Sequence, residues 1–246
     1  MNDNRPVRIG MITPSSNTCL EPMTYRLLGG RRDVTAHFAR LPVQRIALDA
    51  SSTGQFSPEA MVAAAQQLAD ARIDVVVWNG TAGSWLGIDH DRDLARLLSD
   101  ATGVPATTST LAMLEACRAY DVTRLGLATP YTPDVNEQIV GVYADSGIEV
   151  VADALGISDN EAFARVPPET VAGQLRTVAP GMQAVGVLCT NVYGAELAEP
   201  LESELGVPVL DSVTVTLWHA LLLTGSRGSA GFGTLLREGL GSVAVG

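Results

Sequence analysis

The strongest constraint on what this chain can fold into is that it repeats itself. Arg8-Ile-Gly-Met-Ile-Thr-Pro14 returns as Arg124-Leu-Gly-Leu-Ala-Thr-Pro130, matching in residue type at every position. Farther along, the apolar run ending at Trp78 leads into Asn79-Gly80-Thr81, and the run ending at Leu188 leads into Cys189-Thr190-Asn191. A further phrase recurs beyond each loop, Gly103-Val-Pro105 before Thr108-Ser-Thr-Leu111 and Gly206-Val-Pro208 before Asp211-Ser-Val-Thr214. Landmarks in the same order twice over imply two copies of one unit, with Gly80 and Cys189 at equivalent positions.

Within each copy, short apolar runs alternate with segments of helical spacing. Val7–Ile12, Asp74–Trp78, Arg124–Ala128 and Ala184–Leu188 read as buried strands, and Pro58–Ala71, Thr132–Ala144 and Pro168–Val178 as helices. Such alternation predicts parallel βαβ units. The expected fold is therefore α/β, with two pseudo-symmetric Rossmann-like halves, each built on a parallel sheet. With 246 residues, 46% of them apolar, the chain can bury a full core and could form either one large or two small domains. The halves are placed at residues 1–108 and 109–210, followed by a C-terminal helix and tail over 211–246. The helix from about 211 is expected to pack back on the first half, and the Gly- and Ser-rich stretch from Gly225 to Gly246 reads as loosely held surface chain.

Parallel sheets bind ligands at the carboxyl ends of their strands, so the loops at Pro14, Gly80, Pro130 and Cys189 should meet in a cleft between the halves. Ser15, Ser16, Asn17, Thr81, Thr190 and Asn191 would bring hydroxyls, amides and backbone N–H groups to that cleft, a cage for carboxylate oxygens without cationic side chains. The same residue types also serve ordinary turns and helix caps. Cys189, at a strand-to-loop junction, can face the cleft. Cys117 lies at helical spacing among apolar residues and reads as packing, and Cys19 as structural or peripheral. His37, His90 and His219 are unclustered and read as structural. Neither a zinc-type grouping, nor GxGxxG, nor a P-loop is present, so no metal and no cofactor is expected.

The net charge of −11 offers no basic stripe for phosphates, which argues against a nucleic-acid partner. Met1–Pro6 lacks the apolar core of a signal peptide, and no apolar run approaches the length of a membrane span. The expectation is a cytoplasmic protein with a small-molecule partner and no membrane partner, homo-oligomerisation being left open.

These phrases resemble the aspartate/glutamate racemase superfamily over nearly the whole chain, and within it arylmalonate decarboxylase and maleate cis-trans isomerase. Racemases of this group carry a cysteine in each half, serving opposite faces of a carbon acid. Here the second is Cys189 and the first is Gly80. Gly80-Thr81 opposite one cysteine, with the tyrosine-bearing loop Tyr131-Thr-Pro-Asp-Val-Asn-Glu137, resembles arylmalonate decarboxylase, although Ala82 stands where that enzyme has serine. Pro14-Ser-Ser-Asn-Thr18, Asp159-Asn160-Glu161 and Cys189-Thr-Asn191 are similar to maleate isomerase, whose asparagines matching Asn17 and Asn160 hold a substrate carboxylate. The resemblance implies a cofactor-free enzyme acting on a small dicarboxylate or monocarboxylate. Cys189, Tyr131 and Thr81 would be catalytic, and Pro14, Ser15, Asn17, Gly80, Ala82, Asn160, Thr190 and Asn191 would bind substrate. Decarboxylation of a substituted malonate is the first expectation, isomerisation or racemisation through Cys189 the second, and non-catalytic binding of a small acid the third.

Overall fold

A computed structural model describes residues 5–49, 55, 57–226, 228 and 232–238. Among these residues lie two four-stranded sheets in which each paired strand runs parallel to its neighbour. The first holds β1 (Val7–Pro14), β2 (Val34–Leu41), β3 (Val75–Trp78) and β4 (Ala106–Thr108) in the order β2-β1-β3-β4. The second holds β5 (Arg124–Thr129), β6 (Glu149–Ala154), β7 (Ala184–Val187) and β8 (Val209–Asp211) in the order β6-β5-β7-β8. The four strands read from the sequence are the central ones. Helices cover them on both faces, which is why β3 and β7 are buried along their whole length and read as unbroken apolar runs.

The repeated phrase has a packing explanation. Arg8 Nη1 donates to the Ala71 carbonyl at 2.9 Å and Arg124 Nε to the Gly181 carbonyl at 3.0 Å, so each arginine fastens the chain just past the helix covering its strand. Those helices span Pro58–Ala69 and Pro168–Val178. The glycine of the phrase lets helix and strand approach: a Cβ on Gly126 would lie 2.7 Å from the Val178 carbonyl, and one on Gly10 would lie 2.7 Å from Ile73 Cδ1.

The second shared phrase marks a strand-to-helix junction in each half. Thr108 Oγ1 accepts from Leu111 N at 3.1 Å, capping the helix Ser109–Ala119. Asp211 Oδ1 accepts from Val213 N at 2.9 Å and Thr214 N at 3.0 Å, capping Ser212–Leu223. These helices pack on each other, with Thr216 Oγ1 donating to Ser109 Oγ at 2.8 Å. Helix 212–223 reaches back to β3 and β4 of the first sheet, while Met113 of helix 109–119 reaches Gly186 in β7. One continuous core results.

The tail departs from the expectation of loosely held chain. Thr234–Glu238 forms a short helix whose Leu235 and Leu236 are buried, and Glu202 Oε2 accepts from Thr234 N and Oγ1, each at 2.8 Å. Glycine-rich flanks masked this small apolar anchor. Residues 227, 229–231 and 239–246 of the same stretch lie outside the described residues. No described helix is long and apolar enough to cross a membrane.

Candidate active site

In each sheet the chain leaves the inner pair of strands in opposite directions, from β1 to β2 and from β3 to β4, with the same pattern in the second half. That reversal opens a crevice at the carboxyl ends of the inner strands. The two crevices face each other across a partly open cavity of about 20 Å³, room for a water molecule. Its wall is formed by Pro14, Trp78, Gly80, Thr81, Ala82, Trp85, Tyr131, Asn160, Cys189 and Thr190, with Val43 and Ile46 from the segment after β2.

Eight residues singled out in the sequence therefore meet at this wall: Pro14, Gly80, Thr81, Ala82, Tyr131, Asn160, Cys189 and Thr190. Ser15, Asn17 and Asn191 do not. Ser15 is exposed, and its hydroxyl accepts from Val43 N at 3.3 Å. Asn17 is buried and fully engaged. Its Oδ1 accepts from Cys19 N (3.0 Å) and Leu20 N (2.9 Å), and its Nδ2 donates to Thr190 O (3.1 Å) and Thr190 Oγ1 (3.2 Å). Asn191 ties the halves from the other side, its Oδ1 accepting from Thr18 N and Cys19 N and its Nδ2 donating to the Asn160 carbonyl. In this structure the amides of Asn17 and Asn191 are struts between the halves.

Asn160 Nδ2 donates to Ser16 Oγ at 2.7 Å, and Ser16 Oγ to the Val43 carbonyl at 2.5 Å. Over these residues the segments after β2 and β6 pair with each other. Ile46 N donates to Ser158 O at 2.9 Å, Asn160 N to Gln44 O at 3.0 Å, and Arg45 forms an antiparallel bridge with Asp159. This strap brings Val43 and Ile46 to the cavity, a long-range effect with no signal in the sequence. Trp85, in the short helix Gly83–Leu86 that follows Thr81, joins the wall as well and has no motif in the sequence to mark it.

Tyr131 Oη and Thr81 Oγ1 share a hydrogen bond of 2.7 Å across the halves. The tyrosine ring is wedged edge-on between Trp85, at 5.1 Å between centroids, and Phe163, at 5.5 Å. Burial pushes the Tyr131 pKa well above its ordinary value, with the neighbouring Cys189 adding to it, so the phenol stays a neutral donor. Thr190 Oγ1 donates to Asn79 O at 3.0 Å.

Cys189 is buried, and its Sγ accepts from Asn191 N at 3.4 Å. Burial pushes the thiol up to about 12, outweighing the Asn191 N–H and the Tyr131 hydroxyl, both of which favour the thiolate. With no Lys or Arg among the described residues of the wall, Cys189 is a neutral thiol at physiological pH. Opposite it, Gly80 cannot carry a side chain as the site stands, because a Cβ there would lie 2.5 Å from the Trp78 Nε1. A side chain at the position equivalent to Cys189 would thus meet an indole. Cys19 is buried at the start of helix Leu20–Leu28, its Sγ donating to the Val192 carbonyl at 3.4 Å, and Cys117 is buried in helix 109–119.

A family model described as arylmalonate decarboxylase matches residues 9–236 of the chain. Arylmalonate decarboxylase of Bordetella bronchiseptica is 32% identical over 187 residues, covering 73% of this chain and 78% of that protein. Maleate isomerase Iso from Pseudomonas putida S16 superposes with a TM-score of 0.86 at 27% identity, covering 94% of this chain and 98% of the other. A variant of that isomerase solved with maleate superposes with a TM-score of 0.80 at 26% identity, covering 95% and 98%.

Proposed function

The chain belongs to the arylmalonate decarboxylase family, and from that premise we propose that it is a cofactor-independent decarboxylase of a substituted malonate or a similar dicarboxylate. The observation that carries this reading is a single buried thiol, held neutral by its surroundings, sharing a cavity with Gly80 where a two-base enzyme of this superfamily needs a second acid.

One substrate carboxylate is held by the hydroxyl pair of Tyr131 and Thr81, whose shared hydrogen bond leaves one proton to donate, together with the Asn160 amide. The other lies against the apolar wall of Val43, Ile46, Trp78 and Trp85, where loss of hydration favours departure as CO2. Cleavage of that C–C bond leaves its electron pair in an enediolate, whose charge develops toward the fixed donors. Cys189 then gives its proton to the α-carbon, and the thiolate recovers one from water. A neutral thiol suits this step. Since Gly80 supplies no acid, protonation from one face gives one enantiomer. A malonate is larger than this volume, so the cavity must widen on binding.

Turnover is tested on a panel of malonates, maleate and amino-acid enantiomers in D2O without additives. Release of CO2 with one deuterium at the α-carbon, abolished in Cys189→Ala, is the expected result. Fumarate formed from maleate would replace this reading with isomerisation. That second reading is favoured by the Asn191 N–H on the sulfur, which stabilises a nucleophilic thiolate. Binding without turnover of any of them would leave a small-acid binding protein.

A further inference from the structure

Trp78 is the last residue of β3, wholly buried, and part of the cavity wall. Its indole folds back beneath the chain two residues on. A Cβ built on Gly80 would meet Nε1 at 2.5 Å and the adjoining ring carbons closer still, well inside the separation real carbon atoms keep. A ring packed in the core cannot swing aside as the end of a flexible side chain can. The second half differs at the matching place: the residue two before Cys189 is Val187, the last of β7, a side chain with no ring to fold back beneath the cysteine.

We propose that Trp78 sets the one-thiol character of this site. Its indole occupies the volume that a side chain at position 80 requires, and it presents an aromatic wall to the substrate face opposite Cys189. Glycine at 80 is then a consequence of tryptophan at 78, and the pair determines the handedness of the product. The packing part stands on geometry alone, while the stereochemical part rests on the decarboxylase reading.

The test is a double-mutant cycle between the two positions, in the full chain. Gly80→Ala in the parent should lower the apparent thermal midpoint by about 4 °C or more, as overpacking does in a chain of this length. In the Trp78→Leu background the same change should cost less than about 1 °C. Should Trp78→Leu not accumulate as folded protein, Trp78→Phe supplies a background with less volume removed. Equal losses in both backgrounds, or no loss in the parent, would overturn the proposal whatever the activity.

The chemical consequence is read with Gly80→Cys. Combined with Trp78→Leu it should exchange the α-proton of the product acid with D2O at least about 10-fold faster than Trp78→Leu alone, and should yield product of eroded enantiopurity. Gly80→Cys alone should fail to bind that acid. Coupling in the stability cycle without exchange in the double variant would overturn the stereochemical part. Coupling in a protein that turns over no malonate at all would leave the packing interlock standing and sink the decarboxylase reading.

Discussion

Asn17→Ala separates a strut from a substrate ligand. The asparagine makes four buried hydrogen bonds, two accepted by Oδ1 from the N–H groups of Cys19 and Leu20 at the start of helix 20–28 and two donated by Nδ2 to Thr190 in the other half. Loss of the cap costs about 1 kcal/mol. Leaving the Thr190 carbonyl buried without its donor adds about 1–3 kcal/mol, whereas the Thr190 hydroxyl keeps its bond to Asn79 O and Cys19 N keeps Asn191 Oδ1. The sum, about 2–4 kcal/mol, corresponds to a fall in thermal midpoint of about 4–16 °C for a chain of this size. Asn17→Asp sharpens the test. Aspartate caps helices as well as asparagine does, yet here it would aim a carboxylate at the Thr190 carbonyl, so it should be no more stable than the alanine variant. The assay is circular-dichroism melting alongside substrate-dependent kinetics. If Asn17→Ala melts within about 1 °C of the parent while KM rises 10-fold or more, Asn17 is a ligand-holding residue and the strut reasoning fails.

Tyr131→Phe removes one donor from the cavity and leaves Thr81 Oγ1 without its partner, so turnover should fall by about 10²–10³ while the fold persists. Unchanged kinetics would remove Tyr131 from the site. Cys189 should resist iodoacetamide until the pH approaches about 12, and half-reaction near pH 7 would refute the proton-donor role. Cys189 and Cys117, each pushed up to about 12 by burial, hold their protons in the folded state after the unfolded chain has lost them; stability should therefore fall between about pH 9 and 12, as alkaline melts would show. Burial raises Asp211 to about 7, above its unfolded value, so its contribution is fully present below pH 3.8 and is lost as the pH rises through 7. Asp211→Asn should accordingly gain on the parent in melting temperature between pH 4 and pH 8, and a pH-independent difference would refute that assignment.

The order of elements was legible because it is written in local patterns. Apolar runs such as Ala184–Leu188 are long enough to show a strand buried on both faces, and the repeat doubled each signal. Edge strands were harder: β2 and β6 are only half buried, so their residues mix polar and apolar types, and β4 and β8 are three residues each. The buried helix at 234–238 was hidden because two leucines carry no period of their own.

By itself the sequence determined the two-unit plan and the equivalence of Gly80 with Cys189, since both follow from short phrases whose meaning is local. Tertiary structure alone decided which polar side chains were available to a ligand. Asn17 and Asn160 look alike in the sequence, but Asn17 is engaged with Thr190, 173 residues away, whereas Asn160 reaches the cavity wall. It also decided that burial would keep the Cys189 thiol neutral, and that the indole of Trp78 would fill the place where a side chain on Gly80 should stand. Hydrogen-bond partners, desolvation and excluded volume are properties of what packs against a residue, and these neighbours come from distant parts of the chain.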